Sequence, residues 1–158
     1  MPNQAVTEPT FWVWVFGEIT ALHWVVEHEQ MLFAEHQKRR LTPMRVGDRA
    51  VLYTTRGAFH NPTRDEARLV GLATVQASPA HQEHPVMVGD REFTWACPVS
   101  IDLLHPERTG ASVRNLVPTL DLVKKPPPWS SYFRQSPIRI GRADFDRMAQ
   151  ALEVKPQV

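Results

Sequence analysis

The stretch FWVWVF, residues 11–16, is a run of six apolar residues that are all aromatic or β-branched. An uninterrupted run of this kind is typical of a strand that is buried on both faces. It therefore predicts a strand in the middle of a sheet.

A helix is predicted to follow this strand, with Thr20 as its cap and His28 near its end. In that helix Leu22, Val25 and Val26 would face inward. Residues 35–40 are polar and basic, which predicts a loop after the helix.

Three later segments have strand character. Val46-Gly47-Asp48 predicts a turn into a strand over residues 49–54, and residues 67–75 form the next strand. Residues 91–104 alternate with a period of two, so one face of this long strand should be buried. Pro98 indicates a bulge or an edge position in it. The intervening residues 57–66 and 79–90 are predicted to be loops.

The last third of the chain predicts short elements and one clear helix. Residues 113–123 could hold helical turns broken by Pro118, and three prolines at 126–128 stiffen the chain before Trp129. Residues 138–140 form a short strand. The helix over 141–152 has one apolar face, formed by Phe145, Met148, Ala149 and Leu152. Asp144 and Asp146 are expected to be solvated charges.

Strands joined by loops of very different length, with helices at both ends, predict an α+β domain with a curled, barrel-like sheet. At 158 residues one domain is expected, over residues 10–152, with tails at 1–9 and 153–158. No apolar run approaches the roughly 18 residues that a membrane span needs, so no membrane partner is expected. The polar N-terminal stretch lacks a basic region and suggests a cytoplasmic protein.

Charge and cysteine content restrict the function. With 18 basic and 17 acidic residues the net charge is only +1, so any contact with nucleic acid has to be local. The single cysteine, Cys97, excludes an internal disulfide and a multi-thiolate zinc site, and its apolar setting predicts a buried, inert thiol. His81 and His84 are three residues apart but lie in a polar loop with only Glu83 beside them, so a specific metal site is disfavoured. No metal, cofactor or catalytic residue is predicted.

The aromatic content points to a binding site. Trp129 begins the segment Trp-Ser-Ser-Tyr-Phe-Arg, residues 129–134, in which an indole face lies close to hydroxyl and guanidinium groups. Such groups can stack on a nucleotide base and hydrogen-bond to its edge. The alternative is that Trp129 and Phe133, four residues apart, pack into the core from a short helix. The basic cluster Lys38, Arg39 and Arg40 could likewise contact phosphate or simply be solvated.

The order of these features resembles a known family. The opening aromatic strand, the basic segment, Val46-Gly47-Asp48-Arg49, Leu69-Val70-Gly71-Leu72-Ala73 and the late Trp129-Ser130 follow one another as in EVE domains. These are PUA-like relatives of the YTH and ASCH domains, and the likeness, which covers residues 10–152, is to small stand-alone members from bacteria and archaea. No single one of these motifs is diagnostic.

The resemblance implies a PUA-like pseudobarrel of about five to six strands and a pocket for a modified base, such as a modified cytosine in DNA or RNA. Two departures stand out. Phe16 and Gly17 replace a polar residue that relatives usually place after the first strand, and Met31, Leu32 and Phe33 stand where many relatives have a tryptophan. A cage that lacks this indole would bind its ligand more weakly or prefer another base.

The leading hypothesis is a non-catalytic base-binding protein in which Trp129 stacks on the base with help from another aromatic residue. The candidate residues fall into two groups. The base-binding set is Trp129, Ser130, Trp24, Phe33, Tyr53, Thr54 and Thr55, and the phosphate-contacting set is Lys38, Arg39, Arg40 and Arg134.

Two other functions stay open. An ASCH-like enzyme acting on a nucleoside or amide is disfavoured because the chain has no clear Gly-x-Lys-x-x-Glu signature. A protein-interaction module would use the aromatic surface to dock a partner. The oligomeric state is expected to be a monomer or a weak dimer.

Overall fold

The computed structural model describes residues 8–125 and 128–153. Most of both expected tails, and the prolines at 126 and 127, lie outside the described residues. Eight strands occur in the described part: β1 (Phe11–Phe16), β2 (Gln30–Phe33), β3 (Arg49–Thr54), β4 (Arg68–Val75), β5 (Ala80–Val88), β6 (Arg91–Leu104), β7 (Ala111–Ser112) and β8 (Ile138–Ile140). The α-helices there are α1 (Ile19–His28), α2 (Lys38–Leu41), α3 (Val113–Leu116) and α4 (Arg142–Glu153), and 3-10 helices occur at Glu35–Gln37, Val117–Thr119 and Trp129–Phe133.

Strand β1 lies inside the sheet, as its sequence predicts. It runs parallel to β3 and antiparallel to β8. Trp12, Trp14 and Phe16 point into a core that α1 and β2 complete. Phe11 and Val13 point into a second core on the opposite face, which α4 covers. The strand therefore separates two hydrophobic layers, which explains why it has no polar face.

The sheet is mixed and strongly curled. Its strands follow the order β2-β6-β4-β3-β1-β8, with β5 paired to β6 and β7 to β4. Strand β6 links the two halves, because its first part pairs with β2 and β5 whereas residues 99–104 pair with β4. Register shifts interrupt the β3–β4 ladder after Leu52 and the β4–β6 ladder after Leu72. Such bulges bend strands, so they help to curl the sheet into a half-barrel.

The Val46-Gly47-Asp48 turn is held by a buried carboxylate. Gly47 adopts a φ of 89°, a conformation that favours glycine. Asp48 is completely buried and accepts hydrogen bonds from the backbone N–H groups of Thr10 and Arg45, at 2.9 and 3.1 Å. It also accepts one from Nε1 of Trp12 at 3.1 Å. The motif thus ties the start of β1 to the start of β3.

Four local predictions are wrong. Residues 35–40 are not a loop, because a 3-10 helix at Glu35–Gln37 leads directly into α2. Residues 80–88, predicted as loop, form the exposed strand β5. Helix α1 begins at Ile19 rather than after Thr20, and its first turn has no side-chain cap. The register shifts of β6 fall at Asp102 and between Phe93 and Trp95, so the predicted bulge is not at Pro98.

Asp144 also differs from its prediction. It is buried and accepts hydrogen bonds from the N–H groups of Asp121 and Leu122 at 2.7 and 2.8 Å, and it pairs with Arg147 at 3.1 Å. The segment around Asp121 and Leu122, which precedes the prolines at 126–128, is thereby fixed to α4. Asp146 is exposed, as predicted.

Cys97 is buried, as predicted, and burial raises the pKa of its thiol to about 12.

No cluster of three or more metal-binding side chains occurs among residues 8–125 and 128–153. Within the same residues, no helix is long and apolar enough to cross a membrane.

Candidate functional site

A large cleft of about 1310 Å³ opens where the parallel strands β1 and β3 end. Because neighbouring parallel strands finish on the same side of a sheet, Gly17 and Thr55 come next to each other. The N–H group of Thr55 donates to the carbonyl of Phe16 at 3.0 Å, which fixes the two strand ends together. The backbone there is open, since a Cβ added at Gly17 or Gly57 would meet no atom within 4 Å.

The segment from Pro128 to Ser136, which we call the aromatic segment, forms the facing wall of the cleft. Phe133 is buried and stacks on Tyr53 with a centroid distance of 4.8 Å and an interplanar angle of 19°. Trp129 meets Phe133 edge to face at 6.2 Å. Phe133 packs into the core, as one of the two sequence interpretations predicts, while the half-buried Trp129 lines the cleft.

The aromatic segment is tied to the α2 region by polar contacts. Nε2 of Gln37 donates to the carbonyl of Ser136 at 2.7 Å, and the N–H group of Val15 donates to Oγ of Ser136 at 3.0 Å. The guanidinium of Arg40 donates to both the backbone carbonyl and the side-chain oxygen of Gln135. These bonds hold Trp129 and the strand ends in one arrangement.

The cleft is strongly basic although the whole chain is nearly neutral. Among the described residues, five arginines line it and Glu66 is the only carboxylate that does. Ion pairs to these arginines are absent from the described part of the chain, so their charges are available to a ligand. The five are Arg40, Arg56, Arg91, Arg114 and Arg134.

Hydrogen-bonding groups of the cleft complement these charges. Tyr53 lines the cleft, and burial raises the pKa of its phenol, so the hydroxyl keeps its proton at neutral pH. Thr55, Ser130 and Gln135 add further polar side chains to the wall. The arrangement combines a stacking surface, neutral hydrogen-bonding groups and unpaired cations, which are the features that hold a base next to phosphates.

The structure brings together six of the eleven residues that the sequence singled out. Trp129, Ser130, Tyr53, Thr55, Arg40 and Arg134 line the cleft.

The other five lie elsewhere. Phe33 is fully buried against Trp14, and Thr54 is buried on the other face of β3. Trp24 stacks on His28 along α1, at 4.0 Å. Lys38 and Arg39 are exposed on α2 and do not contribute to the wall.

Three arginines of the cleft were missed by sequence reasoning. Arg56 is the second residue after the predicted strand 49–54, so its place near a strand end could have been inferred. Arg91 and Arg114 carry no such signal, because they come from the start of β6 and from α3, which only the fold brings to the same opening.

Comparison with known proteins gives a likeness in fold. No protein-family model matches the sequence, and no curated protein matches it. Among solved structures, a hypothetical protein from Leishmania major superposes with a TM-score of 0.61 at 14% identity, covering 92% of this chain and 96% of that one.

Two YTH domains are similarly close. The YTH domain of the Zygosaccharomyces rouxii MRB1 protein, solved with N6-methyladenosine RNA, has a TM-score of 0.61 at 10% identity, covering 94% of this chain and 90% of that one. The Pho92 YTH domain, solved with m6A, has a TM-score of 0.60 at 10% identity and covers 99% and 94% of the two chains. The α+β half-barrel is therefore a PUA-type fold like that of YTH domains, which confirms the predicted fold class.

Proposed function

We propose that this protein is a non-catalytic binder of a modified base in DNA or RNA, and that it belongs with the EVE domains among PUA-like proteins. The observation that carries the proposal is that five arginines without an ion pair line the same cleft as Trp129, in a chain whose net charge is only +1. The EVE assignment rests on the ordered sequence features described above.

The chemistry of the cleft supports the binding of a nucleotide. The base would stack on Trp129, and the hydroxyl groups of Tyr53, Thr55 and Ser130 would contact its edge. The arginines would neutralise the flanking phosphates, which contributes affinity without sequence preference. Two solved YTH domains of the same fold carry N6-methyladenosine or RNA that contains it, which makes a modified base a consistent ligand class.

The test is a binding titration with short single-stranded and duplex oligonucleotides, each carrying one modified or unmodified base. Trp129→Ala should weaken the best ligand by about 10- to 100-fold, because stacking contributes roughly 1 to 3 kcal/mol per base. Trp129→Phe keeps an aromatic face and should retain most of the affinity.

The matched control is Trp24→Ala, which removes a half-buried indole that lies outside the cleft. Its binding should equal that of the wild type. Equal losses from Trp129→Ala and Trp24→Ala, or wild-type binding by a folded Trp129→Ala variant, would contradict the proposed site.

A further inference from the structure

A second cavity, of about 190 Å³, lies on the opposite face of β3 from the cleft. It opens between α1 and the residues at and after the end of β6, from Leu104 to Arg108, and we call it the α1 pocket. Among the described residues, none lines both cavities. The α1 pocket is therefore separate from the proposed base-binding site.

The floor of the α1 pocket is apolar apart from one hydroxyl group. Leu22, Thr54 and Val70 are each at most 5% exposed, so they form the inner end of the pocket. The side walls are less covered and consist of Ile19, Val26, Phe59, Leu104 and Pro106. Leu104 is 42% exposed, so part of this wall still lacks an apolar contact. Covering such a surface with an apolar group is favourable.

Backbone hydrogen bonds hold the walls of the pocket together. The N–H group of Ile19 donates to the carbonyl of Ala58 at 3.1 Å, which places the start of α1 beside Phe59. The N–H group of His105 donates to the carbonyl of Val70 at 2.8 Å, which fixes the chain after β6 against β4. The shape of the pocket is therefore set by the fold.

The α1 pocket is large enough to admit an aromatic ring. An engineered apolar cavity of about 150 Å³ binds benzene, and the α1 pocket exceeds that volume. Phe59 already takes part in one contact with a cation, because the guanidinium of Arg108 lies 5.1 Å from its ring centroid. A second ring in the pocket would pack against Phe59 and the aliphatic walls.

The mouth of the α1 pocket is acidic. Glu27 and Glu107 line it and are exposed. Glu107 pairs with His23, whereas Glu27 has no ion pair among residues 8–125 and 128–153. Arg108 also lines the mouth, but it pairs with Asp65 at 3.7 Å, so its charge is compensated. A carboxylate without a partner is thus left beside an apolar cavity.

We propose that the α1 pocket binds a small arylalkylamine, with the ring in the cavity and the ammonium group at Glu27 and Glu107. The inference does not depend on the proposed function, since no residue of the cleft takes part. An ammonium group is repelled by the arginines of the cleft, so the charge of the ligand also directs it to the α1 pocket.

The experiment titrates the full chain with three probes of similar shape and different charge: phenethylamine, phenethyl alcohol and hydrocinnamate. Binding is followed through the backbone amide signals in nuclear magnetic resonance spectra. Phenethylamine should bind with a dissociation constant of roughly 0.1 to 10 mM, as expected of so small a ligand, and should move the signals of α1 and of residues 104–108. Phenethyl alcohol should bind about 2- to 5-fold more weakly, the usual effect of an exposed ion pair, and hydrocinnamate more weakly still.

Two variants fill the pocket with a larger side chain. Leu104→Trp and Val26→Phe should each abolish the binding of phenethylamine. Met87→Trp, at an exposed position of β5 outside the pocket, is the matched control and should bind like the wild type.

The acidic mouth is tested by a second pair of variants. Glu27→Gln should reduce the preference for phenethylamine over phenethyl alcohol, because it removes the carboxylate that has no partner. Glu29→Gln, exposed at the end of α1 and outside the pocket, should keep that preference.

Several results would overturn the proposal. These are no binding of phenethylamine to the wild type, signal changes at the cleft instead of at α1, equal affinity for the amine and the alcohol, or wild-type affinity in both filling variants. Should Leu104→Trp unfold, Val26→Phe decides. Oligonucleotide binding is measured separately, so a failure of this proposal is distinguishable from a failure of the proposed function.

Discussion

At the scale of single residues, two buried carboxylates have a structural role that their sequence context does not indicate. Asp48 and Asp144 have the same role, since each accepts backbone N–H groups from a segment that has no regular partner. A charged group that accepts several hydrogen bonds in a buried setting is costly to remove, because the donors are left unsatisfied. Both residues therefore fix loops rather than bind ligand.

Replacing Asp48 by alanine should lower the free energy of unfolding by about 3 kcal/mol or more, because three donors lose their acceptor. Urea denaturation gives this value directly. Asp90→Ala, at an exposed turn, should stay within about 0.5 kcal/mol of the wild type. A loss below 1 kcal/mol for Asp48→Ala would show that this hydrogen-bonded turn contributes little.

Cys97 gives a second prediction at this scale. Its thiol pKa is raised to about 12 by burial, so at pH 8 the folded protein keeps the thiol protonated and unreactive. A disulfide reagent such as DTNB should label it only after denaturation. Because the folded pKa lies above the unfolded one, the thiol's contribution to stability is complete below about pH 8.5 and is lost as the pH rises toward 12. Rapid labelling of the native protein at pH 8 would contradict its burial.

At the scale of elements, sequence patterns predict a strand or helix correctly where the element buries one face or both faces. Strand β1 is recognised because both faces are apolar, and α4 because its apolar residues repeat at helical spacing. Strand β5 is predicted as loop because most of its side chains are exposed, so only its pairing with β6 makes it a strand. The turns at 35–41 are helical because Gln37 bonds back to Ala34, a contact that no periodicity reveals.

Gly71 sits where the sheet bends, between the two register shifts of β4. A Cβ at this position would lie 2.4 Å from the carbonyl oxygen of Leu103, so the strands would have to separate. Gly71→Ala should therefore reduce stability by about 1 to 3 kcal/mol, the usual cost of overpacking. Thermal unfolding measures this loss of stability. The control is Gly57→Ala, where an added Cβ meets nothing within 4 Å. Equal stability of the two variants would contradict the close approach.

At the scale of the whole molecule, the charge distribution matters more than the net charge. The five cleft arginines come from five separate parts of the chain, so neither composition nor the Lys38–Arg40 cluster reveals them. The fold could be predicted from the order of strands and helices in the sequence. The composition of the cleft could not be predicted, because only the curl of the sheet brings Arg91 and Arg114 to the same opening as Trp129.

Affinity for nucleic acid should fall with salt in proportion to the phosphates neutralised, with a slope of roughly −0.7 per phosphate for a single strand. Arg114→Gln should reduce that slope in magnitude by about 0.7, the value for one phosphate contact. Arg139→Gln, exposed on β8 and outside the cleft, should leave it unchanged. The two slopes are read from titrations at several salt concentrations, and identical slopes would argue against a phosphate path through the cleft.

The most direct test uses the five tryptophans of the chain as reporters in one nuclear magnetic resonance titration. Each indole N–H gives its own signal, and Trp129→Phe identifies the one at the cleft. Adding an oligonucleotide should move the Trp129 signal most, while Trp12, bonded to Asp48, and the buried Trp14 stay in place. A bound oligonucleotide that moves Trp24 or Trp95 and leaves Trp129 unmoved would contradict the account.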